Sequence, residues 1–195
     1  MINDENPLPA VCFIKKMKGD RFMNKKIMYI ITILSTAVLL FLDQIAKYLA
    51  VLHLKGQAAI PIIKNVFELQ YLENHGAAFG IMQGKKTFFV IGTLIFLVIV
   101  VILYHNIPLT KRFTPIRIVA VLIVAGAIGN MIDRVVHQYV IDFFYFKLIN
   151  FPIFNVADIY VVVACILFIL LMLFYYKEEE LGQIFPFMKS KKAEE

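Results

Sequence analysis

Long apolar runs separated by short polar interruptions set the architecture of this chain. Four runs are long enough to cross a bilayer as helices, at about 27–51, 87–104, 115–136 and 154–176. A helix rises about 1.5 Å per residue, so about 20 residues span a hydrocarbon core of about 30 Å. The second run is apolar on all faces and carries no charge, which suits a structural span. The third opens on Pro115, well placed at a helix start. Gly126 and Gly129 in its second half admit a close neighbour.

The pattern changes between the first two runs. Gly56 and Pro61 break helix, and Val66 to Glu73 alternates apolar with polar, which predicts a strand. The stretch Asn74-His75-Gly76-Ala77-Ala78-Phe79-Gly80 suits a tight turn or a close backbone approach. A small sheet at the membrane surface is expected over about 54–82. The aromatic-rich connection 137–153 is expected to lie on or dip into that surface. The predicted class is an all-α membrane protein, with four transmembrane helices and a small extracytoplasmic β-sheet between the first and second. Residues 1–26 form a basic extension, with Met17 and Met23 as plausible alternative starts, and 177–195 a charged, mobile tail. The first run is too long, and lacks a small-residue cleavage site, to be a removable leader.

Composition agrees with the pattern. Of 195 residues, 61% are hydrophobic and 17% charged, against roughly a quarter charged in a soluble domain. The net charge of +6 comes from Lys and Arg gathered beside apolar runs, with no basic stripe interleaved with aromatics, so nucleic-acid binding is not expected. Cys12 and Cys165 are not expected to pair, and no Cys-His cluster has metal spacing.

Charge also orients the chain. Lys111, Arg112 and Arg117 sit at the second connection, and basic residues crowd both terminal segments. The third connection carries only Lys147 and the border residue Arg134. The first is less clean, with Lys55, Lys64, Lys85 and Lys86. The balance predicts both termini inside. The third span then runs outward and the fourth inward, so Asp133 and Asp158 fall at matching depth near the outer face. Asp43, Asn74 and Asp142 fall on that side too.

Ionisable groups within a span usually mark a function. Asn130 precedes Asp133 by three residues and Asn155 precedes Asp158 by three, which puts each Asn on the face of its Asp. Two close carboxylates cannot both ionise easily, so the pair can hold one base and one acid around a water, the logic of an aspartic peptidase. Ser35 and Cys165 have no His partner as rival nucleophiles. Two other readings stay open: ion or proton translocation by the Asp133/Asp158 pair, and a structural knot in which Arg134, Arg117 or Lys147 neutralises the aspartates. Apolar inner halves of the third and fourth spans count against translocation. Lys47, four residues after Asp43, reads as a helix-end partner that snorkels to the interface.

Five ordered segments carry a resemblance: Asp43 to Lys47, Asn74 to Phe79, Gly126 to Arg134, Val140 to Phe143 and Phe154 to Asp158. Together they resemble the bacterial lipoprotein signal peptidases (signal peptidase II). The resemblance implies an endopeptidase of the bacterial cytoplasmic membrane that removes signal peptides from prolipoproteins, cutting before a diacylglyceryl-modified cysteine. It implies Asp133 and Asp158 as the catalytic dyad, with Asn130, Arg134 and Asn155 orienting the dyad or the scissile carbonyl. Asn74, Gly76, Ala77 and Phe79 would help hold substrate, with Asp43, Lys47 and Asp142 in the site's surround. It implies no metal and no organic cofactor, and a monomer that meets its substrate in membrane lipid. Gly126 and Gly129 would leave room for the signal helix. Ile159 departs from the small or hydroxylated residue that many relatives carry after the second aspartate.

Overall fold

The computed structural model describes residues 24–76 and 86–185. Helix α1 covers Lys25–Leu54. The Asn24 side chain caps it by accepting from the Lys26 and Ile27 amides at 2.9 and 3.4 Å, filling two of the donors a helix start leaves open. Just past its end, Gly56 turns the chain at a φ of 74°. Strands β1 (Ile60–Ile63) and β2 (Phe67–Asn74) form a hairpin, followed by α2 (Lys86–Asn106). A 3-10 turn at Lys111–Phe113 leads into α3 (Thr114–Val136), with Pro115 in its first turn. Then come β3 (Val140–Tyr145), α4 (Val156–Leu170) and a short α5 (Glu178–Ile184). Among the described residues, four helices are long and apolar enough to cross a membrane.

The sheet departs from its predicted place in one respect. Its order is β1-β2-β3, so the third strand comes from the connection between the third and fourth spans. Val140, Asp142 and Phe144 pair with Asn74, Leu72 and Leu69 of β2. The aromatic run 143–146 reads as an interfacial loop, yet alternate residues pack on α1: Ile141 and Phe143 are buried with Ala50 and Leu54. Gln138, at a φ of 73°, makes the sharp turn from α3 into β3. The sheet therefore fastens the C-terminal ends of α1 and α3 together.

The segment after the fourth span also differs from expectation. Helix α4 ends in a wider π turn at Leu171–Tyr175, and the chain folds back as α5. Leu181 and Ile184 enter a core with Met28, Tyr104, Phe113 and Tyr176. Arg112 meets Glu180 at 2.9 Å. These contacts offset the ordering cost that a free charged tail would avoid. Residues 186–195 of that tail, and Ala77 and Phe79 of the predicted turn, lie outside the described residues.

Helix α3 is the central pillar, packed on α1, α2 and α4. A Cβ on Gly126 would lie 2.6 Å from the Ala157 carbonyl oxygen and 2.7 Å from Val161 Cγ2. One on Gly129 would lie 2.5 Å from Asp43 Oδ2 and 3.3 Å from Ala157 Cβ. The space these glycines open is thus taken by α4 and by Asp43, not left for a further helix. Large apolar side chains such as Ile33, Phe41, Phe88, Val101 and Phe174 cover the outside, as expected where lipid is the solvent.

Candidate active site

Five elements converge where the α3–α4 contact meets the sheet. Helix α1 brings Asp43, Gln44 and Lys47; α3 brings Asn130, Asp133 and Arg134; the strands bring Asn74 and Asp142; the start of α4 brings Asn155 and Asp158. The chain's expected site residues that fall in the described segments are all here.

Lys47 is not at the interface. It is 1% exposed, and its ammonium lies 2.9 Å from Asp43 Oδ2, 3.0 Å from Asp133 Oδ2 and 3.0 Å from Asn130 Oδ1. Those contacts use all three of its donors. Snorkelling fails as a reading because two carboxylates meet the lysine below the surface and fix it there. Asp43 also accepts from the Ala157 amide at 2.9 Å, one of the open donors at the start of α4.

Asp133 is equally committed. Besides Lys47, it accepts from the Ile141 amide at 3.1 Å and from Gln44 Nε2 at 3.2 Å. Both its oxygens are occupied, and it shares a single cation with Asp43. Gln44 had drawn no role from the sequence, although it stands one residue from Asp43 and three from Lys47, a spacing that places it beside them on α1. Among the described residues, none of the proposed neutralisers forms an ion pair with Asp133 or Asp158: Lys147 pairs with Glu68 at 3.1 Å, Arg117 donates to the carbonyls of Ile107 and Thr110, and Arg134, though within the site, donates to the carbonyls of Asn130 and Gly76 at 3.3 Å.

The expected Asn-Asp pairing also changes partners. Asn130 Nδ2 reaches across to Asp158 Oδ1 at 2.8 Å rather than to Asp133. Asn155 joins two carboxylates: its amide side chain donates to Asp142 Oδ1 at 2.6 Å, and its backbone N–H donates to Asp158 Oδ2 at 3.0 Å. The Asp158 amide returns a bond to Asn155 Oδ1 at 3.1 Å, completing a capping box at the start of α4. Asn74 donates to the other oxygen of Asp142 at 2.8 Å and accepts from the Gly76 amide at 3.0 Å.

The carboxylates therefore divide. Asp43 and Asp133 share the buried ammonium. Asp142 and Asp158 share Asn155 and, among the described residues, form no ion pair. Asp142 is buried, whereas Asp158 is partly open. Burial pushes the Asp142 carboxyl from an ordinary 3.8 to about 7, and the neighbouring Asp158 adds to the rise, against the opposing bonds from Asn74 and Asn155. Asp158 thus shares a hydrogen-bonding residue with Asp142, while Asp133 is held by Lys47, Gln44 and the Ile141 amide.

A family model for signal peptidase (SPase) II matches residues 35–174, which include every element of this site. The chain belongs to the signal peptidase II family. The lipoprotein signal peptidase of Caldanaerobacter subterraneus subsp. tengcongensis is 44% identical over 136 residues, covering 69% of this chain and 90% of the relative. That of Streptococcus pyogenes serotype M5 is 38% identical over 150 residues, covering 77% and 95%. A bacterial membrane enzyme solved by the in meso method at 2.3 Å resolution superposes with a TM-score of 0.67 and 31% identity, over 79% of this chain and 92% of that one. A second, at 1.9 Å, has a TM-score of 0.63 and 33% identity, over 74% and 94%. The chain is thus a multi-pass membrane aspartic peptidase, and the translocation reading is not favoured.

Proposed function

We propose that this signal peptidase removes signal peptides from prolipoproteins with Asp142 and Asp158 as its reacting pair, cutting before the diacylglyceryl-modified cysteine. The observation that carries the assignment is Asn155, which holds one carboxylate with its side chain and the other with its backbone. An acid–base pair needs one group able to take a proton and one able to give it near working pH. Asp142, with its carboxyl raised to about 7, supplies the proton donor. The Asp158 carboxylate takes a proton from a water, and the resulting hydroxide adds to the scissile carbonyl carbon as Asp142 protonates the carbonyl oxygen. As the tetrahedral intermediate collapses, one of its hydroxyls returns a proton to Asp142, the C–N bond breaks, and the proton held by Asp158 passes to the leaving nitrogen.

Asp133, Lys47, Asp43 and Gln44 act as positioning residues. Asp133 binds the Ile141 amide, one residue from Asp142, and Asp43 binds the Ala157 amide, one residue from Asp158. The lysine that joins them thereby sets the spacing of the two elements that carry the pair. Arg134, through the Asn130 and Gly76 carbonyls, ties α3 to the residues just after β2.

The enzyme is placed in the bacterial cytoplasmic membrane with both terminal segments inside and the site near the outer face, where the lipid anchor and signal helix of a precursor both lie in the bilayer. One chain supplies every group of the site, which supports a monomer. The test is cleavage of a diacylglyceryl-modified precursor peptide in detergent. Losing a general acid or base costs typically 10²–10⁴-fold, so Asp142→Asn and Asp158→Asn should each lower kcat by about that factor with fold retained. Asp133→Asn should lose less in kcat per folded molecule. Wild-type turnover by Asp142→Asn would return Asp133 to the pair.

A further inference from the structure

On the side of the bundle away from the sheet, the first half of α1 and the first half of α3 leave an open groove of about 900 Å³. Ligand pockets commonly measure about 300–1,000 Å³. Ile31 and Val38 of α1 face Ile118 and Val121 of α3 along it, and Lys111 and Arg117 stand at one end. Those two cations have no acidic partner: among the described residues neither is paired with a carboxylate. Lys111 is exposed. Arg117 is 5% exposed and donates to the carbonyls of Ile107, Pro108 and Thr110, while its Nε has no partner. Lys25, exposed at the start of α1, lies 6.0 Å from the Tyr29 ring centroid and, among the described residues, forms no ion pair.

We propose that this groove is a binding site for an anionic membrane phospholipid, with an acyl chain between α1 and α3 and the phosphate at Lys111 and Arg117. The chemistry of the groove selects that occupant. Its walls match a hydrocarbon chain, and its cationic end matches a phosphate at headgroup depth. A signal peptide fits poorly, because its leading segment is positively charged and would meet like charges here. The chain's own segment 15–21 is excluded on the same ground, since Lys15, Lys16, Lys18 and Arg21 are all basic. Assignment to the inner leaflet rests on the termini-inside topology proposed above, whereas binding itself does not.

Native mass spectrometry of the full-length protein, released from mixed micelles of phosphatidylglycerol and phosphatidylcholine, tests the site. One phosphatidylglycerol should stay bound in preference to phosphatidylcholine. A cation near an anionic headgroup changes affinity about fivefold, so Lys111→Gln should weaken retention by about that factor. Val121→Trp, which fills the groove, should abolish it. Both variants should still cleave precursor peptide in detergent, showing that they fold. In membranes, a photoreactive residue replacing Val38 should crosslink to phospholipid. Equal retention of both lipids, or retention unchanged in both variants, would overturn the site. Crosslinking of Val38 to the precursor would assign the groove to substrate instead. If labelling showed the opposite topology while lipid retention behaved as described, the leaflet assignment alone would fall.

Discussion

Lys47 shows how much depends on a side chain's partners. As a charge four residues after Asp43 it reads as a surface ion pair, a feature worth little. In the fold it is sealed between Asp43 and Asp133 with side-chain exposures of 2%, 0% and 2%. Removing one member of a buried charge set costs about 3–5 kcal/mol because its partners keep an uncompensated charge. Lys47→Met should therefore lower the thermal unfolding midpoint markedly and reduce activity with it. Asp142 makes a second prediction. Its carboxyl is raised to about 7 from 3.8, so the folded state holds a proton that the unfolded chain releases. The stability this adds is full below pH about 4 and is lost as pH rises through 7. The unfolding midpoint measured from pH 4 to 8 should carry this fall, and Asp142→Asn should flatten that part of the profile. The rate at saturating precursor should drop on the alkaline side as the donor proton is lost.

Helices α3 and α4 meet through a stripe without side chains. Gly126 is covered by the Ala157 carbonyl and Val161, and Gly129 by the Asp43 carboxylate. Ala157 lies between Asn155 and Asp158, so any retreat of α4 draws Asp158 and Asn155 away from Asp142 on β3. Overpacking a close contact costs about 1–3 kcal/mol. Gly126→Ala should destabilise by about that amount in chemical or thermal unfolding, and should lower kcat more than the lost stability alone explains. Strand β3 acts in the same way from the other side: its pairing with β2 sets Asp142 opposite Leu72, and the Asn74 side chain bonds it. The period-2 pattern revealed β2 because one face of that strand is apolar and the other polar. Strand β3 escaped it because Val140 to Phe143 is buried throughout, and an apolar run covered on both faces does not alternate.

The whole molecule is built with its polar network between two apolar cores. One core gathers Tyr104, Phe113, Tyr176 and Ile184, and the other Ala50, Leu54, Ile141 and Phe143. Charge distribution supports placing the first on the inner side and the second beneath the outer sheet. In intact cells, a cysteine replacing Leu148, exposed after β3, should react with an impermeant thiol reagent. One replacing Lys177 should react only after the cells are opened. The reverse labelling would invert the topology and move the site to the cytoplasmic side.

Hydropathy, charge and spacing along the chain were enough for the four spans, for a small sheet after the first span and for most of the polar residues that the fold gathers in one place. Those properties are local: a bilayer imposes span length, and helical or strand period is written in neighbouring residues. The ordered segments were also enough for the family. Which carboxylate serves which purpose is not local. Asp133, Asp142 and Asp158 are alike as residues, and a three-residue spacing suggests that Asn130 serves Asp133. Packing of α1 against α3 delivers Lys47 and Gln44 to Asp133, and closure of β3 on β2 delivers Asp142 to Asn155. Those contacts join residues far apart in the chain, and a carboxylate's chemistry follows from what solvates it. The sequence pairs Asp133 with Asp158; the tertiary structure decided instead which contacts each carboxylate receives, giving Asp133 the buried lysine and leaving Asp142 and Asp158 to share Asn155.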